Sequence, residues 1–341
     1  MPAQPIAIKS VGLVSSVGLS APASCAAIRA KISNPTETRF MGSDGEWIMA
    51  HQVPLEKPWR GLAKLSRMAT MAITECLEGL PREEWGKLPL LLCVAEKERP
   101  GRFEGLDDRL FGEIQEELDV RFAPGSAIVA HGRVSVAVAL AQARKLIVER
   151  RQPLVLIAAT DSLLTRATLG VYEGEERLLT PRNSNGFMPG EGAGALLVGQ
   201  PGVKGELLCT GIGFAMEKAH IGSGEPLLAE GLSAAIKIAL AEAGCGLHEL
   251  DYRISDISGE QYYFKEAALA LLRVLRQRKE EFDLWHPAEG IGEAGATAGV
   301  AALTVAAVAA RNAYALGPRV LAHLANDAGQ RAAAILQFRV V

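Results

Sequence analysis

The side chains best suited to nucleophilic or acid–base chemistry, cysteine and histidine, are few in this chain and widely scattered. The 341 residues include five cysteines and six histidines. The odd number of cysteines, their wide spacing and the lack of a CxxC pair argue against a disulfide framework or a zinc site. We therefore expect reduced thiols in a cytoplasmic protein, at positions 25, 76, 93, 209 and 245.

The histidines and glycines do not indicate a metal or cofactor site either. The histidines lack the spacing typical of metal ligands, although His286, shortly before a glycine-rich turn, is a candidate acid–base group. Residues 190–194 (GEGAG) superficially match a dinucleotide-binding fingerprint. That fingerprint follows a strand and opens a helix, whereas these glycines precede a predicted strand. The sequence therefore predicts no metal and no cofactor.

Bulk composition excludes several further classes. The net charge is −3, and 22% of the residues are charged, which favours neither nucleic-acid nor membrane-surface binding. The longest apolar stretch, 299–310, is alanine-rich and too short to span a membrane, so we interpret it as part of a buried helix. Residues 1–4 lack the basic segment of a secretory signal. A hydrophobic content of 49% is enough for a large core.

Short strand-like runs alternate with longer helical ones, which predicts an α/β protein. The predicted strands cover 6–13, 88–94, 127–130, 154–159, 193–198, 206–214, 320–324 and 333–340. The main predicted helices cover 21–30, 63–79, 107–117, 134–149, 226–243, 265–277 and 297–313.

One unit of this pattern occurs twice. Helix 134–149 is almost entirely apolar and is followed by a proline turn and a buried strand reaching Asp161; helix 297–313 is followed in the same way by a strand reaching Asp327. A helix that is apolar all round must be enclosed on all sides. Two such helices between sheets predict a duplicated five-layer α/β/α/β/α fold, with a single doubly wound sheet as the alternative. We expect two halves, 1–200 and 201–341, packed as one body.

Three glycine-rich segments carry a family resemblance. Residues 6–18 (IAIKSVGLVSSVG), 186–195 (GFMPGEGAGA) and 292–299 (GEAGATAG) resemble segments of the β-ketoacyl-acyl-carrier-protein synthases, condensing enzymes of the thiolase fold. The resemblance spans nearly the whole chain. It implies a cysteine nucleophile at a strand-to-helix elbow, near 127–150, together with two histidines and an oxyanion hole.

None of the positions that match the family's catalytic residues carries the expected side chain. The nucleophile position falls on Arg133, or on His131 if the register shifts by two residues, and residues 94–208 contain no cysteine. The first histidine position falls on Ser258 and the second on Glu293. Loss at all three positions predicts abandoned catalysis. We expect Arg133 and Glu293 to pair, because a buried charge without a partner is costly.

The resemblance therefore implies a catalytically inactive protein that acts by binding. By resemblance it should form a homodimer through the strand at 126–130. It would serve as a non-catalytic partner subunit of an active synthase, as the cysteine-lacking chain-length factors do, or as an adaptor for a secretion-effector-type protein, which we favour modestly. An acyl carrier protein is a further candidate partner. The alternative is an acyltransferase with unconventional catalytic residues.

Overall fold

The structure, a computed structural model, describes residues 4–202 and 205–339. Its strands are β1 Ile6–Val14, β2 Thr36–Met41, β3 Trp47–Ala50, β4 Leu90–Val94, β5 Ala127–Ala130, β6 Leu154–Ser162, β7 Glu191–Gly199, β8 Leu207–Met216, β9 Tyr252–Ser255, β10 Leu284–Trp285, β11 Arg319–Ala325 and β12 Gln330–Phe338. Its α-helices are α1 Ala21–Arg29, α2 Gly61–Leu77, α3 Arg109–Leu118, α4 Ser135–Val148, α5 Arg166–Gly174, α6 Glu230–Ala243, α7 Gln261–Val274, α8 Ala288–Ile291 and α9 Ala296–Arg311.

Within the described residues, ten strands form one mixed sheet in the order β10-β9-β11-β12-β8-β1-β7-β6-β4-β5. The sheet consists of two groups of five strands, β10-β9-β11-β12-β8 and β1-β7-β6-β4-β5. Strand β1 joins the groups, because it pairs antiparallel with β7 and, through Ile6, Ala7 and Ile8, with β8. In one group β7 is antiparallel to β1 and β6, while β6, β4 and β5 run parallel. In the other, β12 is antiparallel to β8 and β11, while β11, β9 and β10 run parallel. The two groups therefore repeat one pattern of strand pairing, and the division into halves 1–200 and 201–341 stays a prediction.

The helices form three layers around the two strand groups. Helices α4 and α9 pack in the central core, which contains side chains from strands of both groups. Helices α2 and α3 pack on the outer face of β4, β6 and β7. Helices α6 and α7 cover the outer face of β11 and β12. The predicted five-layer arrangement is therefore confirmed, with the two apolar helices enclosed between the two strand groups, which are joined into one sheet by the β1–β8 pairing.

Short elements account for most differences from the sequence-based prediction. Hairpin β2–β3, helix α5 and strand β9 were not predicted. The hairpin and α5 share a small core in which Phe40 and Ile48 pack against Leu169, Tyr172 and Phe187. Segments this short carry too few residues for a clear period, and long-range packing selects their conformation. Residue 340 of the predicted last strand lies outside the described residues, as do residues 1–3.

Strand β1 approaches helix α2 so closely that only glycine fits at position 12. A methyl group on Gly12 would overlap the backbone carbonyl oxygen of Ala72. The close approach lets α2 cover the strand group that carries β4 and β6.

Gly12→Ala should lower the free energy of unfolding by about 1–3 kcal/mol, because the backbone of a packed layer must shift. Gly112→Ala is the matched control, since no atom lies near its added methyl group within helix α3. That substitution should raise stability by about 0.5–1 kcal/mol by restricting the unfolded chain. Thermal and urea midpoints of both variants test the difference in sign; a neutral Gly12→Ala would contradict it.

Candidate functional site

The predicted elbow between β5 and α4 is a single 3-10 turn, Gly132–Val134. Gly132 has a φ of +55°, and a methyl group there would collide with the carboxylate of Glu96. Glycine is therefore required by both the backbone conformation and the available space. The turn leads directly into α4 and places Arg133 inside the protein, where it is 6% exposed.

The Arg133 guanidinium is surrounded by acidic and phenolic oxygens. Its Nη1 donates to Oε2 of Glu293 at 3.1 Å, and its Nη2 donates to Oδ1 of Asp327 and to the Tyr263 hydroxyl, each at 2.7 Å. Oδ2 of Asp256 lies 3.7 Å from its Nε. The Tyr263 ring centroid is 4.5 Å from the guanidinium carbon, close enough for a cation–π contact. The buried charge thus has partners on several sides.

Asp327 connects this arginine to a second one. Its Oδ2 accepts from Arg177 at 2.8 Å, while its Oδ1 also accepts from the Tyr263 hydroxyl at 2.5 Å. Arg177 in turn binds both carboxylate oxygens of Glu260, at 2.7 and 2.9 Å. Together, Arg133, Arg177, Asp256, Glu260, Glu293 and Asp327 form what we call the buried ionic network.

Two carboxylates stabilise the N-terminus of α9. Oε1 of Glu293 accepts from the backbone N–H of Gly295 at 3.0 Å, and Oδ2 of Asp161 accepts from Ala296 at 2.8 Å. Asp161 also pairs with Arg99 at 2.7 Å. The first N–H groups of a helix have no partner within the helix, and the helix dipole favours negative charge at this end.

Three of the four residues singled out in the sequence meet in one place. The predicted ion pair of Arg133 and Glu293 is present, and the Ser258 hydroxyl donates to Oε2 of Glu293 at 2.8 Å. His131 lies apart from them: its Nδ1 is 3.1 Å from Oε1 of Gln330, beside a different cleft. That these positions correspond to the family's catalytic residues stays a prediction.

The sequence-based reasoning missed several members of the network. Arg177 belongs to a charged run, 173–177, that is typical of a solvated surface, and Asp327 follows a predicted strand, where an aspartate usually caps a turn. Tyr263, Asp256 and Glu260 carried no signal of their own. The one available signal was that Asp327 follows the second of two similar helix–strand units.

Four carboxylates around two guanidiniums leave the network with surplus negative charge. Burial raises the pKa of Glu293 to about 7, against the opposing effect of Arg133. Burial likewise raises the pKa of Asp256. Burial alone would raise the pKa of Asp327, but Arg133 and Arg177 together hold it well below its usual range. Burial thus makes Glu293 and Asp256 the acids of the network that bind a proton more readily than usual, while the two arginines make Asp327 the one that binds it least readily.

No cysteine is among the described residues that line the cleft over the buried ionic network. Cys93, on β4, is fully buried, and burial raises the pKa of its thiol well above the usual value. A buried protonated thiol is a poor nucleophile. The cleft over the network has a volume of 580 Å³ and is lined by the arginines Arg99 and Arg177 and by the carboxylates Glu96, Glu98, Glu175, Glu176, Glu260 and Asp327.

Neither a helix that could span a membrane nor a cluster of metal-ligating side chains occurs within residues 4–202 and 205–339. No helix there is long and apolar enough to cross a membrane. No group of three or more histidine, cysteine, aspartate or glutamate side chains in the same residues is placed to hold a metal ion.

Comparison with known proteins supports the fold. No protein-family model matches the chain, and no curated protein does. Among solved structures, the ishigamide ketosynthase/chain length factor matches at 18% identity over 98% of this chain and 99% of that one, with a TM-score of 0.77. The chain has the thiolase-like fold of ketosynthases.

Two further ketosynthase-like structures match over nearly their full length. One is a type II polyketide-synthase acyl-carrier protein in complex with its ketosynthase (AntDE:AntF), at 14% identity over 99% of this chain and 100% of that one, with a TM-score of 0.81. The other is the ketosynthase ApeO in complex with its chain length factor ApeC from Xenorhabdus doucetiae, at 14% identity over 98% of both chains, with a TM-score of 0.77. At these identities the ketosynthase-like fold is shown, and the chemistry is not.

Glu293→Gln should flatten the dependence of stability on pH. The pKa of Glu293 is raised from 4.5 to about 7 in the folded state, so the native protein holds this proton more tightly than the unfolded chain. Its contribution to stability is complete below about pH 4.5 and is lost as the pH rises through about 7. Glutamine stays neutral, so the stability of the variant relative to the parent should rise by on the order of 2–3 kcal/mol from about pH 5 to pH 8, on top of a pH-independent cost of the lost carboxylate.

Urea unfolding at about pH 5, 6, 7 and 8 measures this effect. Glu149→Gln, at the exposed end of α4, is the matched control and should follow the parent protein. The pKa of Asp327 is lowered in the folded protein, so the stability that this carboxylate contributes is lost only on acidification. It therefore does not interfere with the stability changes measured between about pH 5 and 8. Parallel curves for Glu293→Gln and Glu149→Gln would show that Glu293 ionises normally.

Proposed function

We propose that this protein is a catalytically inactive ketosynthase-like protein that acts by binding a second protein. The observation that carries the proposal is the pairing of Arg133 with Glu293 and of Glu293 with Ser258. These are the positions to which the family resemblance assigns the cysteine and the two histidines. Their side chains hold one another in a buried network in place of a nucleophile and its helpers.

The electrostatics of the network support this proposal. Burial alone would lower the pKa of the Arg133 guanidinium, but Tyr263 and the surrounding carboxylates hold it well above its usual range. A permanently protonated guanidinium has no electron pair to attack a thioester. The carboxylates of the cleft above would repel the free carboxylate of a malonyl group, and more strongly than in bulk water.

The free edge of β5 supports a partner at this end of the sheet. Strand β5 is the last in the sheet order, so its outer edge has no strand partner among the described residues. Such an edge readily accepts another strand. Met216, 60% exposed, lines a cleft together with Ile128 and Ala130 of β5, which adds apolar surface beside the edge.

The partner that fits best is a second ketosynthase-like chain, either another copy or an active synthase subunit. Two of the structures matched above contain a ketosynthase and a chain length factor by name. Both match this chain over 98% of its length, which favours the partner-subunit role over the adaptor role expected from the sequence.

Incubation with acyl- and malonyl-carrier thioesters, followed by intact-mass measurement, tests the loss of catalysis. We expect no acyl adduct and no malonyl decarboxylation above background, because no thiolate is available at the network. An active ketosynthase run in parallel shows that the thioesters are competent. A stable adduct on the protein would instead establish the alternative, an acyltransferase with unconventional residues.

Ala127→Arg should weaken self-association or association with an active synthase, because it puts a charge on the exposed start of β5. Leu272→Arg is the control: it adds the same charge at a position that is 74% exposed on α7, in the opposite outer layer. Sedimentation and co-purification compare the two. Equal association of both variants would exclude the β5 edge as the contact.

A further inference from the structure

A second cleft lies between α1 and residues 283–289, and none of the described residues that line it belongs to β5. We call it the α1 cleft; its volume is 540 Å³, and it is lined by Ile28, Arg29, Trp285, Pro287, Val305 and Tyr314, among others. Small-molecule sites are typically concavities of roughly 300–1,000 Å³ with apolar and aromatic walls. No residue of the buried ionic network lines this cleft.

One wall of the α1 cleft is a rigid aromatic platform. Trp285 packs against Tyr252, with ring centroids 4.6 Å apart, and Tyr252 is fully buried. Trp285 also belongs to β10, which pairs with β9. An aromatic side chain held in this way offers a large flat surface without losing much conformational freedom when a ligand binds.

One polar group behind the cleft wall lacks a partner among the described residues. The buried Tyr252 hydroxyl has no hydrogen-bond partner within 4–202 and 205–339. Its pKa is raised by burial and by Tyr314, which lines the cleft. Tyr252 itself does not line the cleft, so the binding surface is provided by Trp285, Tyr314 and the charged side chains.

The charges at the cleft favour an anion. The guanidinium carbon of Arg29 lies 4.2 Å from the Tyr314 ring centroid. Across the part of the chain that the structure describes, neither Arg29 nor Lys31 forms an ion pair with an acidic side chain. Both cations are therefore available to a bound negative group.

The acidic residues of the cleft are already engaged. A carboxylate oxygen of Glu289 lies 3.3 Å from Nδ1 of His286. Asp283 interacts electrostatically with Arg253, on β9. The charge of Asp283 is thus partly compensated by Arg253, and the carboxylate of Glu289, which is 55% exposed, is screened by solvent.

We propose that the α1 cleft binds a small aromatic anion. Its ring would pack on Trp285, beside the contact of Arg29 with Tyr314, and its carboxylate or sulfonate would face Arg29 and Lys31. The site is separate from the network and from the β5 edge, so it stands whether or not the protein is a partner subunit.

Titration calorimetry with naphthalene-2-sulfonate tests the site on the intact protein. We expect saturable binding of one molecule per chain, and roughly tenfold weaker binding to Arg29→Gln, a loss of about 1.4 kcal/mol. Arg150→Gln removes the same charge from an exposed position at the end of α4 and should bind as the parent does. The cationic analogue 2-naphthylmethylamine should bind at least tenfold more weakly than the sulfonate.

Tryptophan fluorescence locates the ligand independently. Binding should quench the emission of the parent protein, and Trp285→Phe should lose most of this quenching, whereas Trp47→Phe, at an exposed hairpin position, should keep it. Absence of saturable binding at millimolar probe would overturn the proposal. Equal affinity of Arg29→Gln and Arg150→Gln, or of the sulfonate and the amine, would do so as well.

Discussion

A guanidinium buried at the start of a core helix sets the arrangement of the centre of this protein. Removing a charge from water is expensive, and Arg133 also stands at the helix end where the dipole disfavours a cation. Both costs are offset by the carboxylates of Asp256, Glu293 and Asp327. These residues come from segments that follow β9, precede α9 and follow β11, so one side chain joins the ends of several elements.

The same carboxylates serve the second core helix. Glu293 accepts a backbone N–H at the start of α9 while it pairs with Arg133, and Asp161 does the same while it pairs with Arg99. The N-termini of the two enclosed helices are therefore linked through acids and arginines. Breaking a buried pair of this kind by removing one partner typically costs about 3–5 kcal/mol, so we expect the network to contribute strongly to the stability of the fold.

Because the buried ionic network fills the middle of the protein, we expect ligands and partner proteins to bind at the surface. The cleft over the network contains six carboxylates. Among the described residues, the outer edge of β5 has no strand partner, and the α1 cleft combines aromatic walls with two cations that have no acidic partner. These surfaces differ in chemistry and therefore suit different ligands: another strand in one case and a small anion in the other. Under the proposed function, the thiolase-like fold supports binding at its surface without catalysis at its centre.

Local patterns in the sequence were enough to predict the enclosed helices α4 and α9 and most long strands, whereas the pair of Arg133 with Glu293 was expected only because the family resemblance places those two positions together. The helices and strands follow from hydrophobic periodicity, and at two positions placed together a buried charge needs a partner. Arg177, Tyr263 and the double role of Asp327 could not be predicted, because their partners lie 64 to 194 residues away in the chain. Contacts at that separation leave no periodic trace, and they exist only once the sheet brings the ends of its strands and helices together.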